Sequence, residues 1–405
     1  MEHPLLQSYG PLEGWHILLF IGFISIGFFA YQVQKATRLV MLGSSDARFD
    51  SWSTRISEFI SGWLFQKKVL RDKVAGTMHV LMFWGFLMLA SDMLDLATAN
   101  AFSGKVLPAI LVGPWNGMVE LGYFMALVGC VSALTRRVVF TPEKLKGKSQ
   151  LEGNVILLLI FTITTTSFMI ESAESPSSFW EPLGYWFSEQ GLSEQTVILS
   201  YWAHMLAISV FLFLIPLSKH MHLVMAVPNV FFHDAGPVAR MRPLATGDDG
   251  KAVPLEDLEI DSFGVSTYNQ YSWRQLIDGW SCTSCARCQD VCPAYASGKG
   301  LNPMQVIHDV RNYANDHAPI LLSGGQPDET ILERITEEAV WACTTCNACV
   351  DACPLYIEHV PKLTDLRRNA MMETMEYPEV LNTAMGNIES ASNPYGFGAH
   401  ERADW

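Results

Sequence analysis

Eight of the nine cysteines in this 405-residue chain fall into one pattern written twice. Cys282, Cys285, Cys288 and Cys292 are followed by Pro293; Cys343, Cys346, Cys349 and Cys353 are followed by Pro354. Each copy reads C-x-x-C-x-x-C-x-x-x-C-P. The flanks repeat as well, Trp280-Ser-Cys-Thr-Ser-Cys against Trp341-Ala-Cys-Thr-Thr-Cys. An internal duplication of this kind implies two similar half-sites packed against each other. The fold around Cys282 to Pro354 has to accommodate both.

Thiolates are soft ligands that suit iron–sulfur clusters. Three cysteines at i, i+3 and i+6 can wrap three corners of a [4Fe–4S] cube from one short loop. The fourth comes from elsewhere, and the proline after it turns the chain away. In two-cluster arrangements with this run, the fourth cysteine binds the other cluster. The expected sets are therefore Cys282, Cys285, Cys288 with Cys353, and Cys343, Cys346, Cys349 with Cys292. Zinc sites more often offer paired C-x-x-C hooks, and disulfides require an oxidising compartment. The ninth cysteine, Cys130, lies in an apolar segment and reads as a small buried hydrophobe.

Mean hydropathy is positive, at +0.18, because the first half carries five long apolar segments: 15–34, 74–97, 113–135, 153–172 and 196–218. Each approaches the ~20 residues that cross a bilayer as a helix. Residues 35–73 and 136–150 hold thirteen Lys and Arg, whereas 1–14, 98–112 and 173–195 hold only Lys105. By the positive-inside rule the N-terminus lies outside and everything after Lys219 in the cytoplasm. Thiolate-bound clusters are protected from oxidation there. The N-terminus shows no basic region or cleavage site, so no cleaved signal peptide is expected. The charge is lopsided: residues 1–233 carry a net −1 and residues 234–405 a net −13. An acidic surface excludes nucleic acid as a partner.

Residues 52–66 place Trp52, Ile56, Phe59, Ile60, Trp63 and Leu64 on one side of a helix, with Ser51, Arg55, Glu58 and Ser61 between them. This pattern fits an amphipathic helix on the inner membrane surface, or equally one packed under the cytoplasmic domain. Residues 234–262 read as a linker or a strapping loop. Residues 301–316, 329–341 and 362–390 read as helices. No G-x-G-x-x-G or Walker A loop is present.

Five histidines fall in or near the apolar segments: His16, His79, His204, His220 and His222. Paired histidines on facing helices hold b-type haem in helical bundles. His79 and His222 both lie towards the cytoplasmic side and are expected to share one haem. His204 and His222 are eighteen residues apart. On one continuous helix that is five turns, about 27 Å along one face, so His204 could serve a second haem. On the same arithmetic His220 points away. His16 is the remaining candidate partner for that second haem.

The N-terminal half resembles the membrane domain of the respiratory nitrate reductase gamma subunit. The C-terminal half resembles the cluster domain of the heterodisulfide reductase D-subunit family, whose membrane-fused relatives include electron-transfer-flavoprotein:menaquinone oxidoreductases. Besides the cysteine runs, the resemblance rests on Gly298-Lys-Gly-Leu-Asn-Pro-Met, Cys353-Pro-Leu-Tyr-Ile-Glu-His-Val-Pro, Asn393-Pro-Tyr-Gly and the eighteen-residue histidine spacing. There are two departures. The second segment lacks the further histidine of the gamma-subunit pattern. Trp405 also falls about where the CCG repeats of the long family members would begin, so either another subunit carries those repeats or this is a shortened form.

The expected architecture is an all-α membrane helical bundle of five transmembrane helices followed by a mainly α-helical two-[4Fe–4S] ferredoxin-type domain. The divisions are 1–233 (haem b membrane domain, with an interfacial helix near 52–66), 234–262 (linker) and 263–405 (cytoplasmic cluster domain). The expected function is electron transfer in the cytoplasmic membrane between a cytoplasmic redox partner and quinone, through two [4Fe–4S] clusters and haem b. The resemblance implies an electron-transfer flavoprotein as that partner. A heterodisulfide-reductase-like subunit serving a thiol/disulfide site on another chain, and a non-enzymatic anchor with structural clusters, are the alternatives.

Overall fold

The computed structural model describes all residues except 1–3, 6, 102–108, 141–147, 238–240, 245–252, 259–261 and 405; for 92–101, 109, 110, 148, 149, 255, 402 and 403 it describes the backbone alone. Lys105 and part of the basic 136–150 loop, both used above to orient the chain, lie outside the described residues. Apart from a two-stranded hairpin, Ser8–Tyr9 with Leu12–Glu13, the described elements are helices. Five are long and apolar enough to cross a membrane: Gly14–Val40, Lys73–Ser91, Leu111–Val138, Gln150–Glu171 and Glu194–Leu217.

In full, the helices of the bundle are α1 (Gly14–Val40), α2 (Trp52–Phe59), α3 (Lys73–Ala101), α4 (Ala109–Val138), α5 (Lys148–Glu171), α6 (Pro182–Glu189) and α7 (Glu194–Leu214). α3 packs along α4, α4 along α5, α5 along α7 and α7 along α1. Apolar lipid offers little drive for helix pairing, so small residues that allow close approach decide the contacts. Gly85 of α3 lies against the Gly122 carbonyl and Ala126 of α4, and Gly129 lies against the Met78 carbonyl and Met82. Any side chain at these positions would push the two backbones apart.

The structure corrects the continuous fifth helix. α7 ends at Leu214; Ile215–Leu217 and Lys219–Met221 are separate 3₁₀ turns, and α8 (His222–Phe231) begins at His222 itself. Pro216 has no amide hydrogen for the helical ladder. Ser218 is extended, with φ −121° and ψ 177°, and its hydroxyl accepts from the His220 amide at 3.1 Å. The eighteen-residue phase argument therefore does not carry from His204 to His222, and the ranking of His220 below His222 loses its basis.

The 52–66 segment is α2 followed by a π-turn, Ile60–Leu64. Its polar side is the packed one. The Arg55 side chain, 2% exposed, donates to the carbonyls of Phe231 and His233, and Glu58 meets His233 Nε2 at 2.6 Å. Trp52, Ile56 and Ile60 stay exposed on the other side. The segment is thus seated on α8, with Trp52, Ile56 and Ile60 turned outward while Phe59 packs on Phe231 and Trp63 on Phe83.

The C-terminal half comprises α9 (Trp273–Ser281), α10 (Arg287–Asp290), α11 (Pro293–Ala296), α12 (Pro303–Asp316), α13 (Ala318–Leu322), α14 (Ile331–Ile335), α15 (Glu337–Ala342), α16 (Ala348–Ala352), α17 (His359–Asn369) and α18 (Val380–Ala391). Two expected helices are interrupted. Thr336, at φ 77°, separates α14 from α15, and Met375, at φ 55°, ends the π-turn that follows α17. One hydrophobic core joins this half to the bundle: Ala36, Leu39 and Val40 of α1, with Met221 and Met225, pack with Tyr268, Tyr271, Leu276, Ile277 and Trp280. Beside it runs a buried ion network. Glu358 accepts from Arg48 (3.2 and 3.1 Å) and Arg242, Arg48 also holds Asp46 (2.7 Å), and Asp278 holds Arg274 (2.8 Å) and Lys362.

Candidate metal-cluster site

The two cysteine runs fold alike, residue for residue. α9 and α15 each deliver a cysteine at their C-terminus in extended conformation: Cys282 at φ −65°, ψ 122° and Cys343 at φ −69°, ψ 123°. Two residues on, Ser284 (φ 55°) and Thr345 (φ 54°) are left-handed, as are Ala286 (φ 62°) and Asn347 (φ 60°). α10 and α16 then carry the third cysteine, and Cys292 and Cys353 return to extended geometry. Left-handed residues alternating with cysteines turn successive amides inward, which forms a nest for negative charge. The Thr345 amide donates to Cys343 Sγ at 3.4 Å.

Two hollows result. One of about 300 Å³ is lined by Cys282, Cys285, Cys288 and Cys353, with Met304, Leu355 and Ile357. The other, of about 340 Å³, is lined by Cys343, Cys346, Cys349 and Cys292, with Leu301, Pro303 and Leu363. Each therefore draws three cysteines from one run and the fourth from the other. His359, at the head of α17, lines both. None of the nine cysteines is paired in a disulfide. No group of three His, Cys, Asp or Glu among the described residues is placed to hold a single metal ion. The sulfurs ring a space instead of meeting at a point, which suits a multi-atom cluster.

The electrostatics point the same way. Burial pushes the Cys282 thiol up to about 11 and the Cys349 thiol up to about 12. Cys288 and Cys353 are raised further, by burial and then by neighbouring thiols. Four sulfurs held this close disfavour their own ionisation until a cation joins them, and a bound metal reverses that balance. The donor set fits an iron–sulfur cluster in each hollow. His308, not anticipated from sequence, brings Nε2 to 3.5 Å from Cys282 Sγ and 3.1 Å from Ser284 Oγ. It lies on α12, between the two runs, and no local pattern marks it. His359 could have been noticed, because it lies in the Cys353-Pro-Leu-Tyr-Ile-Glu-His stretch.

Among the membrane histidines, His79 Nδ1 is buried without a hydrogen-bond partner, and His222 lies within electrostatic range of His79. His222 Nδ1 meets the Lys219 carbonyl at 2.8 Å, so it carries the proton and leaves Nε2 as a free lone pair. The His220 ring lies 5.9 Å from that of His222. His204 points between α5 and α7, with Nδ1 at 3.1 Å from the Ile163 carbonyl and 3.0 Å from Thr166 Oγ1. His16 is engaged locally: it accepts the Glu13 amide at 3.3 Å and stacks on Trp15.

Comparison with known proteins agrees with this site. The family described as "4Fe-4S dicluster domain" matches residues 274–354. EtfAB:quinone oxidoreductase of Syntrophomonas wolfei is 28% identical over 460 residues, covering 99% of this chain and 63% of that protein. The probable iron-sulfur-binding oxidoreductase FadF of Bacillus subtilis is 27% identical, covering 96% and 60% respectively. One polypeptide of the ferredoxin:CoB-CoM heterodisulfide reductase of Methanosarcina mazei is 32% identical over 105 residues, covering 25% of this chain and 53% of that polypeptide. The chain thus spans about three fifths of the length of the two relatives that it matches almost throughout. No solved structure matches. The chain therefore carries a 4Fe-4S dicluster domain behind five apolar helices, and along nearly all its length it is similar to iron–sulfur oxidoreductases of the EtfAB:quinone oxidoreductase and FadF kind.

Proposed function

We propose that this protein passes electrons between a cytoplasmic redox partner and a membrane quinone, through two [4Fe–4S] clusters and haem b. The observation that carries this reading is the pair of thiol-lined hollows, each completed by a cysteine of the other run. Cys282, Cys285, Cys288 and Cys353 would hold one cluster, and Cys343, Cys346, Cys349 and Cys292 the other. His79 and His222 would hold a haem; the orphaned Nδ1 of His79 and the free Nε2 of His222 support the pairing. If a second haem is present, His204, whose Nδ1 faces the Ile163 carbonyl, would be its candidate ligand. Bound, these groups supply one-electron chemistry. The chain's own task is to fix their positions, exclude water and set the charge around them.

The working division is a membrane domain at 1–233, a linker at 234–262 and a cytoplasmic cluster domain at 263–405, in a cytoplasmic membrane with the N-terminus outside. The name of the Syntrophomonas relative, which couples EtfAB to quinone, supports an electron-transfer flavoprotein as the partner. Similarity to a component of a heterodisulfide reductase favours a second reading, delivery of electrons to a thiol/disulfide site on another chain. Iron and acid-labile sulfide should each reach about eight per chain, as two cubanes require. Cys292→Ser should disturb the EPR signal of the cluster of Cys343, Cys346 and Cys349, leaving its sequence neighbour intact. A zinc-loaded protein without a reducible EPR signal would overturn the reading. Haem reduction by added quinol separates the quinone reading from the heterodisulfide one.

A further inference from the structure

The duplicated runs are alike, but their surroundings are not. Tyr295 and Tyr356 occupy the same place, each three residues after the fourth cysteine of its run. Tyr295 is 41% exposed. Tyr356 is built into the membrane half: its ring lies 4.4 Å from that of His233, Lys68 Nζ sits 3.8 Å above it, and Gly62 leaves the room for it, since a Cβ there would collide with the phenol. Tyr356 is left-handed, with φ 57°, a strained backbone for a bulky residue and one that the packing must hold in place.

Several further contacts across this seam involve residues beside the same four cysteines, Cys282, Cys285, Cys288 and Cys353. Arg287, next to Cys288, donates to the carbonyls of Lys68 and Val69 at 2.8 and 2.9 Å. Arg71 pairs with Asp351 at 2.9 Å. Asn229 donates to the Leu355 carbonyl at 2.9 Å, and Ser281, beside Cys282, donates to the Met225 carbonyl at 3.0 Å. The Lys68 ammonium is within electrostatic reach of Cys353. At the second hollow Thr344 and Cys346 are exposed to water, whereas each cysteine of the first is buried or half-buried.

We propose that the hollow of Cys282, Cys285, Cys288 and Cys353 is the membrane-side one, and that Lys68, seated on Tyr356, is the positioning residue that raises the reduction potential of the cluster held there. This rests on the two-cluster reading above. No bond forms and no proton moves at the seam. Lys68 supplies fixed positive charge, which favours the more negative, reduced form of the group among the four sulfurs. One electron would pass between this cluster and its neighbour, and one between this cluster and the membrane acceptor, haem b by that reading.

EPR-monitored redox titration of the full-length protein in detergent tests this. Lys68→Gln should move one cluster's midpoint downward and leave the other in place, and Lys68→Arg should restore it. Arg71→Gln, at a half-exposed surface pair, should move the same midpoint in the same direction and serves if Lys68→Gln fails to fold. Thr344→Asp, which adds a negative charge beside the second hollow, should lower the other midpoint. A water-soluble dysprosium chelate should relax the Thr344-sensitive signal more strongly than the Lys68-sensitive one. The proposal is overturned if both clusters are present and Lys68→Gln and Thr344→Asp move the same signal. It is equally overturned if neither Lys68→Gln nor Arg71→Gln moves any signal, or if the chelate preference is reversed. Absence of both cluster signals from the wild-type protein would instead overturn the two-cluster reading.

Discussion

Asp278 has no exposed surface, yet it faces Arg274 and Lys362, which are as deeply buried. Burial alone would raise its pKa; the charges of Lys362 and Arg274 outweigh that and hold it down to about 2. A carboxylate depressed in the folded state contributes stability that is present above its unfolded pKa, near 4, and lost as pH falls through the folded value. Asp278→Asn should therefore flatten the loss of thermal stability between about pH 4 and pH 2. It should also cost roughly 3–5 kcal/mol at neutral pH, because two cations are left buried with one partner fewer; a melting series against pH reads both effects. At the same scale, His79→Ala and His222→Ala should each remove the same b-type absorbance and leave the cluster EPR signals unchanged. An unaltered spectrum in His79→Ala would dismiss the pairing. His220→Ala has become a necessary companion variant, because the break at Pro216 and Ser218 brings its ring beside that of His222.

Between elements, the α3–α4 contact depends on missing side chains. A Cβ on Gly129 would come to 2.9 Å from the Met78 carbonyl oxygen and from Met82 Cγ, and Met78 precedes His79. Gly129→Val should cost roughly 1–3 kcal/mol, the usual range for overpacking. By shifting α3 at His79 it should also change the haem band, read optically, with no effect on the cluster signals. The same close approach explains why hydropathy found the spans so readily and their partners not at all: apolarity places a helix in the bilayer, whereas small residues and backbone contacts decide its neighbours. The 52–66 segment is a second instance. Its periodicity indicated a two-faced helix, and only the packing revealed that the side with Arg55 and Glu58 is covered by α8 and His233.

Across the whole molecule, the core that unites Leu39 and Met225 with Tyr268 and Trp280 makes the cluster half an extension of the bundle. The ion network of Arg48, Arg242, Arg274 and Lys362 with Asp46, Glu358 and Asp278 pins the same junction. Sidedness belongs to this scale. A reporter fused after Trp405 should be active only in its cytoplasmic form, as the thirteen-to-one distribution of basic residues between alternate loops requires. Periplasmic activity of that fusion would reverse the assigned orientation.

The helical class, the five spans and the two iron–sulfur half-sites were legible in the residues themselves, because each depends on local periodicity or on ligand spacing along one short loop. The histidine geometry was not. It was read on the assumption of a continuous helix, and Pro216 and Ser218 end that helix before His222. Nor could spacing identify Lys68, His308 or the placing of Tyr356, whose partners lie far along the chain or in the other half. Those positions depend on which of two equivalent loops rests against the membrane half. The two copies match at every cysteine, and the tertiary contacts of Tyr356, Arg287 and Asp351 show which of them rests against the membrane half.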